Sequence, residues 1–177
     1  MRVVAVSGSL RAGSSNAALL QAAVRLAPAG MQIVFYDDLG TLPHFNPDLD
    51  NEGAVPPPSV AGLRAAFVEA QGVLLSSPEY AHGVPGALKN ALDWMVSSGE
   101  LTDKPILLLN AAAAGGARAQ ASLIDTLTVM GGRVLDASLT KPFLRKKVMG
   151  ELADPDAAHL LAASLNALAA AGGRRDD

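Results

Sequence analysis

Five times along this chain a short, mostly apolar run gives way to a longer stretch with helical spacing. The runs cover residues 3–6, 31–36, 72–76, 105–109 and 133–137. A strand with one solvated face alternates apolar and polar residues. These runs do not alternate, so they predict strands covered on both faces. The segments between them repeat apolar residues at three and four: Leu20, Ala23, Val24, Ala27; Val60, Leu63, Phe67, Ala70; Leu88, Ala91, Leu92, Met95, Val96; Leu123, Ile124, Leu127, Met130; and Leu160, Leu161, Leu165, Leu168. Asp154-Pro155 reads as an N-cap and first-turn proline for the last helix. The expected fold is an α/β three-layer sandwich on a five-stranded parallel sheet. Right-handed crossovers with a reversal beside the first strand set the order 2-1-3-4-5.

Such a sheet binds ligands at the carboxyl ends of its strands, beside the reversal. The loops after the first, third and fourth strands are therefore the places to look for chemistry. The loop after the second strand, residues 37–59, is long and rich in Pro, Asn and Asp, and Pro56-Pro57-Pro58 is expected outside any helix. Its length suggests a functional or subunit-facing role. Within it, Phe45 is a candidate wall beside a substrate.

Composition removes several alternatives. There is no cysteine among the 177 residues, which excludes disulfides, thiol catalysis, iron–sulfur clusters and Cys-ligated zinc. The net charge of −3 argues against nucleic acid, and the one dense basic run, Arg145-Lys146-Lys147, reads as a solvated loop. No stretch approaches ~20 consecutive apolar residues, so no membrane span is expected. The apolar start is too short for a signal peptide, which makes the cytoplasm the expected compartment. Residues 1–172 are expected to form one domain, with 173–177 a disordered tail.

The first loop, residues 7–16, carries Ser9, Arg11, Ser14, Ser15 and Asn16 at a helix start. Free amides, hydroxyls and a guanidinium there suit a terminal phosphate. An ordinary capping loop with spare serines is the other reading. Ser14 stands where a nucleoside-triphosphate loop needs lysine, and Gly8…Gly13 does not fit the dinucleotide pattern GxGxxG. The second loop holds Pro78, Glu79, Tyr80, Ala81, His82 and Gly83, with Pro85 and Gly86 beyond. Its prolines stiffen it, its glycines allow close approach, and Tyr80 is a scarce aromatic able to line a flat ligand. His82 lacks triad or metal-ligand company and reads as a surface residue. Lys89 and Asp93 are spaced for a helical ion pair, and Trp94 for core or subunit packing. The third loop, Asn110 to Arg118, is small-residue backbone; it suits a flat ligand, or simply an alanine-rich helix start.

Taken together, Gly8-Ser9-Leu10-Arg11-x-x-Ser14-x-Asn16, Pro78-Glu79-Tyr80-x-x-Gly83-x-Pro85-Gly86-x-Leu88-Lys89-Asn90-x-x-Asp93-Trp94 and Gly115-Gly116-Ala117-Arg118 resemble the NADPH-dependent FMN reductase family. This is a flavodoxin-like group that includes quinone, chromate and azo-dye reductases. The resemblance implies that Ser9, Arg11, Ser14, Ser15 and Asn16 hold the FMN phosphate. It implies that Pro78, Glu79, Tyr80 and Ala81 frame the isoalloxazine, with His82, Gly83 and Asn110 also at the ring. Asn110 stands where many members have a serine, a departure that bears on the ring's surroundings. The expected activity is hydride transfer from NADPH or NADH to FMN and then to a small-molecule electron acceptor such as a quinone. The expected assembly is a homodimer or homotetramer. A flavodoxin-type electron carrier and a non-catalytic FMN-binding module are the rival readings.

Overall fold

Strands β3 (Gly72–Ser76) and β4 (Pro105–Leu109) are buried at every residue, the physical reason their sequences carry no polar alternation. The computed structural model describes residues 1–140 and 154–173. Its other strands and α-helices are β1 (Arg2–Ser7), α1 (Ser15–Arg25), β2 (Gln32–Phe35), α2 (Pro58–Val68), α3 (Gly86–Asp93), α4 (Ala117–Val129), β5 (Arg133–Val134) and α5 (Pro155–Gly172), with short 3-10 turns at Asp38–Thr41 and Pro47–Leu49. The sheet runs β2-β1-β3-β4-β5 with every pairing parallel. This is the flavodoxin-like α/β order expected. In register, Val3 faces Gly72 and Ser7 faces Ser76, so the ends of β1 and β3 stop side by side. The two strands therefore deliver their following loops to one point.

Alternate residues of each strand feed opposite layers. Val4, Val6, Val73, Leu75, Ile106 and Leu108 pack against α2, α3 and α4 through Leu63, Phe67, Leu92 and Leu127. Val3, Ala5, Leu74, Leu107 and Leu109 pack against α1 and α5 through Leu19, Leu20, Leu161, Leu165 and Leu168. Each such side chain contributes ~1.5–3 kcal/mol by leaving water, enough for the two apolar layers to hold the loops on a rigid base.

Several expectations need correction. The fifth strand ends at Val134 rather than 137. The chain turns through Asp136 and Ala137, and the Ser138 hydroxyl takes the Leu108 amide in place of a strand carbonyl. Leu139 then rejoins the edge, accepting from Asn110 N and donating to Leu108 O. Pro58 lies inside α2 as its first residue, a place where the missing N–H costs nothing. Val24, Val96 and Leu160, assigned inward by spacing, are exposed. Trp94 is fully buried, its indole N–H donating to Pro43 O at 2.8 Å and its ring meeting Phe45 edge-on. Phe45 is thus tied to Trp94, and Trp94 is a core residue of the subunit. Lys89 and Asp93 do pair, at 2.6 Å.

The Arg145-Lys146-Lys147 run, Phe143 and residues 174–177 lie outside the described residues. Among those described, no helix is long and apolar enough to cross a membrane.

Candidate functional site

The loops after β1, β3 and β4 meet around a cleft of about 590 Å³. Ser9, Arg11, Ser14, Ser15 and Asn16 line one end; Pro78, Glu79 and Tyr80 one wall; Ala111 to Gly116 the other. A larger hollow of about 1010 Å³ lies beside the start of β4 and the end of α5. It gathers none of the candidate residues, so chemistry favours the smaller cleft.

The first loop is built for an anion. Gly8 threads past β3, where a Cβ would sit 2.7 Å from Ser77 Oγ, so only glycine lets the loop pass so close. Ser14 caps α1, its Oγ accepting from Asn16 N at 3.2 Å and Ala17 N at 3.4 Å. A hydroxyl that accepts still has its proton to donate. Asn16 turns its Oδ1 to the Ser76 hydroxyl, leaving its amide nitrogen as the donor to offer. Ser15 adds a further hydroxyl beneath the cleft surface: its Oγ is buried and has no hydrogen-bond partner, as is also true of Tyr36 Oη and Gln120 Oε1 away from the cleft. Buried hydroxyls are normally paired, so a lone one lining a cleft at a helix N-terminus fits a ligand oxygen. The residues present therefore suit the phosphate of FMN, with Arg11 exposed at the rim to supply charge.

The second loop is a strained turn on a rigid stem. Tyr80 and Gly83 exchange both backbone hydrogen bonds, at 3.1 and 2.9 Å. Ala81 and His82 between them have φ of 48° and 64°. Two successive left-handed residues make a turn of the I′ kind, which non-glycine residues enter at a cost. Ala81, His82 and Gly83 do not line the cleft; they form the turn behind Tyr80. Tyr80 reaches across to the first loop, its hydroxyl 3.2 Å from Ser9 Oγ. Glu79 Oε2 accepts from the Ala119 amide at 2.9 Å, and its Oε1 meets His82 Nδ1 at 3.1 Å. The Ala119 amide first, then His82, hold the Glu79 carboxyl below its ordinary range.

In the third loop, Asn110 is buried and its side chain is spent locally. Its Nδ2 donates to Gly115 O at 3.2 Å and Thr140 O at 3.0 Å, while Oδ1 accepts from Ala112 N at 2.9 Å. It stands behind the cleft and folds the loop whose alanines form the wall. Ala111 to Gly116, part of the small-residue loop expected to suit a flat ligand, line the cleft, and Gly13, which was not among the expected site residues, does too. The signal was present in the run of small residues, which admits a flat group without side-chain obstruction. His44 and His159 are exposed and outside the cleft. Among the described residues there is no cluster of potential metal ligands.

The family model described as NADPH-dependent FMN reductase matches residues 1–144. The chain belongs to this family. Within the FMN reductase group it is 36% identical to an NAD(P)H-dependent FMN reductase of Pseudomonas aeruginosa, covering 95% of this chain and 93% of the relative. It is 31% identical to the quinone reductase of Escherichia coli K12, over 91% and 85% of the two chains. Among solved structures, the flavoenzyme NAD(P)H:(acceptor) oxidoreductase FerB of Paracoccus denitrificans superposes with a TM-score of 0.82 at 26% identity, covering 97% and 96%. The match to an FMN reductase family agrees with a cleft whose one end offers anion donors and whose walls are flat.

Proposed function

We propose that this chain is an FMN-dependent NAD(P)H oxidoreductase whose acceptor is a small quinone-like molecule. The observation that carries the reading is one cleft that brings the hydroxyl, amide and guanidinium donors at the start of α1 together with Pro78 to Tyr80 and the small residues Ala111 to Gly116. Ser9, Arg11, Ser14, Ser15 and Asn16 would hold the phosphate. Pro78 to Tyr80 and Ala111 to Gly116 would flank the ring. FMN held there would supply the redox chemistry, hydride acceptance from NADPH or NADH and electron delivery to the acceptor. The protein's part is to hold the ring between two loops, leave room for one planar partner at a time, and present backbone amides where charge develops. No acid–base pair in the cleft is required for this.

The reading is tested by the visible spectrum of the protein after incubation with FMN, followed by oxidation of NADPH and of NADH with a quinone. A flavin spectrum and quinone-dependent oxidation are expected. Protein that stays colourless with excess FMN overturns the reading. Leu49 and Val55 in the 37–59 region, and Val96 just past α3, are all exposed and support self-association as a homodimer or homotetramer. A solution mass equal to a single chain would defeat that part. A reaction fed by NADPH or NADH belongs where those nucleotides are kept reduced, so the cytoplasm is the proposed compartment.

A further inference from the structure

Helix α4 begins without a cap of its own. Its N-cap is Gly116, at φ 89°, which has no side chain to offer. A Cβ there would lie 2.8 Å from Asn110 Nδ2, so no capping side chain can be accommodated. The first amides of a helix need an acceptor, and a buried one such as that of Ala119 needs it most. The acceptor comes from forty residues earlier in the chain: Glu79 Oε2, at 2.9 Å. The other oxygen of the same carboxylate holds His82 in the left-handed turn. One side chain thus spans two loops, pinning the turn that carries Tyr80 with one oxygen and the start of α4 with the other.

We propose that Glu79 is a positioning residue that clamps the ring-side loop to helix α4, so that the two flat walls of the cleft keep a fixed separation. The clamp also sorts the two helix N-termini that face the cleft. That of α4 is occupied by a carboxylate of the protein itself, which repels a ligand anion. That of α1 is capped by the neutral Ser14 hydroxyl, so it sets no negative charge of the protein against the phosphate. A ligand with one anionic end and one flat end therefore enters in a single orientation. The proposal rests on FMN as the ligand only for its binding arm.

The experiment compares the intact wild-type chain with Glu79→Ala and Glu79→Gln. Amide hydrogen exchange at Arg118 and Ala119 is read without ligand, and dissociation constants are measured for both FMN and riboflavin. Glutamine keeps an acceptor oxygen for Ala119 but loses the charge, as protonation would, so its exchange and binding should fall between wild type and Glu79→Ala. In Glu79→Ala, exchange at Ala119 should quicken about tenfold, the scale of a lost helix cap. FMN and riboflavin should weaken by the same factor, again about tenfold, because the walls and not the phosphate end are disturbed. Unchanged exchange at Ala119 in Glu79→Ala overturns the clamp. A loss confined to FMN, with riboflavin unaffected, overturns it too, because Glu79 would then act at the phosphate end. Should wild-type protein bind neither flavin, the cofactor reading fails, and the exchange result still decides for or against the clamp. If Glu79→Ala does not fold, Glu79→Gln carries the test, and a tenfold quickening there would count against an acceptor role that the amide oxygen fulfils.

Discussion

Two strand-to-helix loops face the same cleft, and they treat their polar groups in opposite ways. The loop after β1 caps its helix with its own Ser14 and still has capacity left: the Ser15 hydroxyl is unpaired, and Arg11 is exposed. The loop after β4 has no cap of its own, borrows Glu79, and uses every polar atom of the Asn110 side chain to hold itself together. Spare capacity marks a place that awaits a ligand. Saturation marks a scaffold. On the proposed reading, the difference follows from what each loop would meet, a charged phosphate on one side and a flat, mostly apolar ring on the other.

The largest test removes the spare capacity. Arg11→Ala combined with Ser14→Ala deletes a charged donor and a hydroxyl donor from one end of the cleft. Charged hydrogen bonds contribute about 1.5–3 kcal/mol and neutral ones about 1, so FMN affinity should fall ~100- to 1000-fold by titration. Riboflavin, which lacks the phosphate, should lose far less. Equal losses for both ligands would break the assignment of the phosphate to this loop.

The mirror experiment attacks saturation. Asn110→Ala strips three hydrogen bonds from a buried position and strands the Ala112 amide and the Thr140 carbonyl. A loss of about 2–3 kcal/mol in unfolding free energy is expected by denaturant titration. The double variant should lose mainly the single cap, about 1 kcal/mol. A stability loss at Asn110 no greater than that would mean the third loop is not the scaffold it is taken for.

Much of this contrast could be read before any coordinates. β3 and β4 were legible because full burial forces an unbroken apolar run. The donors of the first loop were legible because serines and an arginine beside glycines, at a strand's end, have few other uses. What stayed hidden depended on partners far along the chain. Asn110 is exhausted only because Thr140 returns to it, and Glu79 caps α4 only because β3 and β4 are neighbours. β5 stopped early because the Ser138 hydroxyl replaced a carbonyl, a substitution with no periodic signature. Pro58 entered a helix because the first turn needs no N–H from it. A motif shows which residue types are present; only the fold shows which of their hydrogen bonds are already taken.

Acid separates the two caps without mutation. The folded state holds the Glu79 carboxyl below its ordinary range, so it binds fewer protons there than the unfolded chain does. The stability this supplies is present above the ordinary carboxylate range and is lost as pH falls through the folded value. Ser14 does not titrate. Amide exchange at Ala119, corrected for its intrinsic pH dependence, should therefore lose protection on acidification while Asn16 and Ala17 keep theirs. Parallel loss at both helices would show global acid unfolding and remove the contrast.

The smallest expected effect is also the cleanest. Ser15→Ala removes a hydroxyl that has no partner in the protein, so folding loses no hydrogen bond. Stability of the ligand-free chain should stay within ~0.5 kcal/mol of wild type, or rise slightly, because burying an unpaired hydroxyl is unfavourable. FMN affinity should nevertheless drop about tenfold, the worth of one hydrogen bond to a charged oxygen. The two readouts must diverge, since a group that serves the fold costs stability and a group that serves the ligand costs affinity. If Ser15→Ala destabilised the chain and left FMN binding untouched, the first loop would be scaffold like the third, and the division of labour between the two loops would collapse.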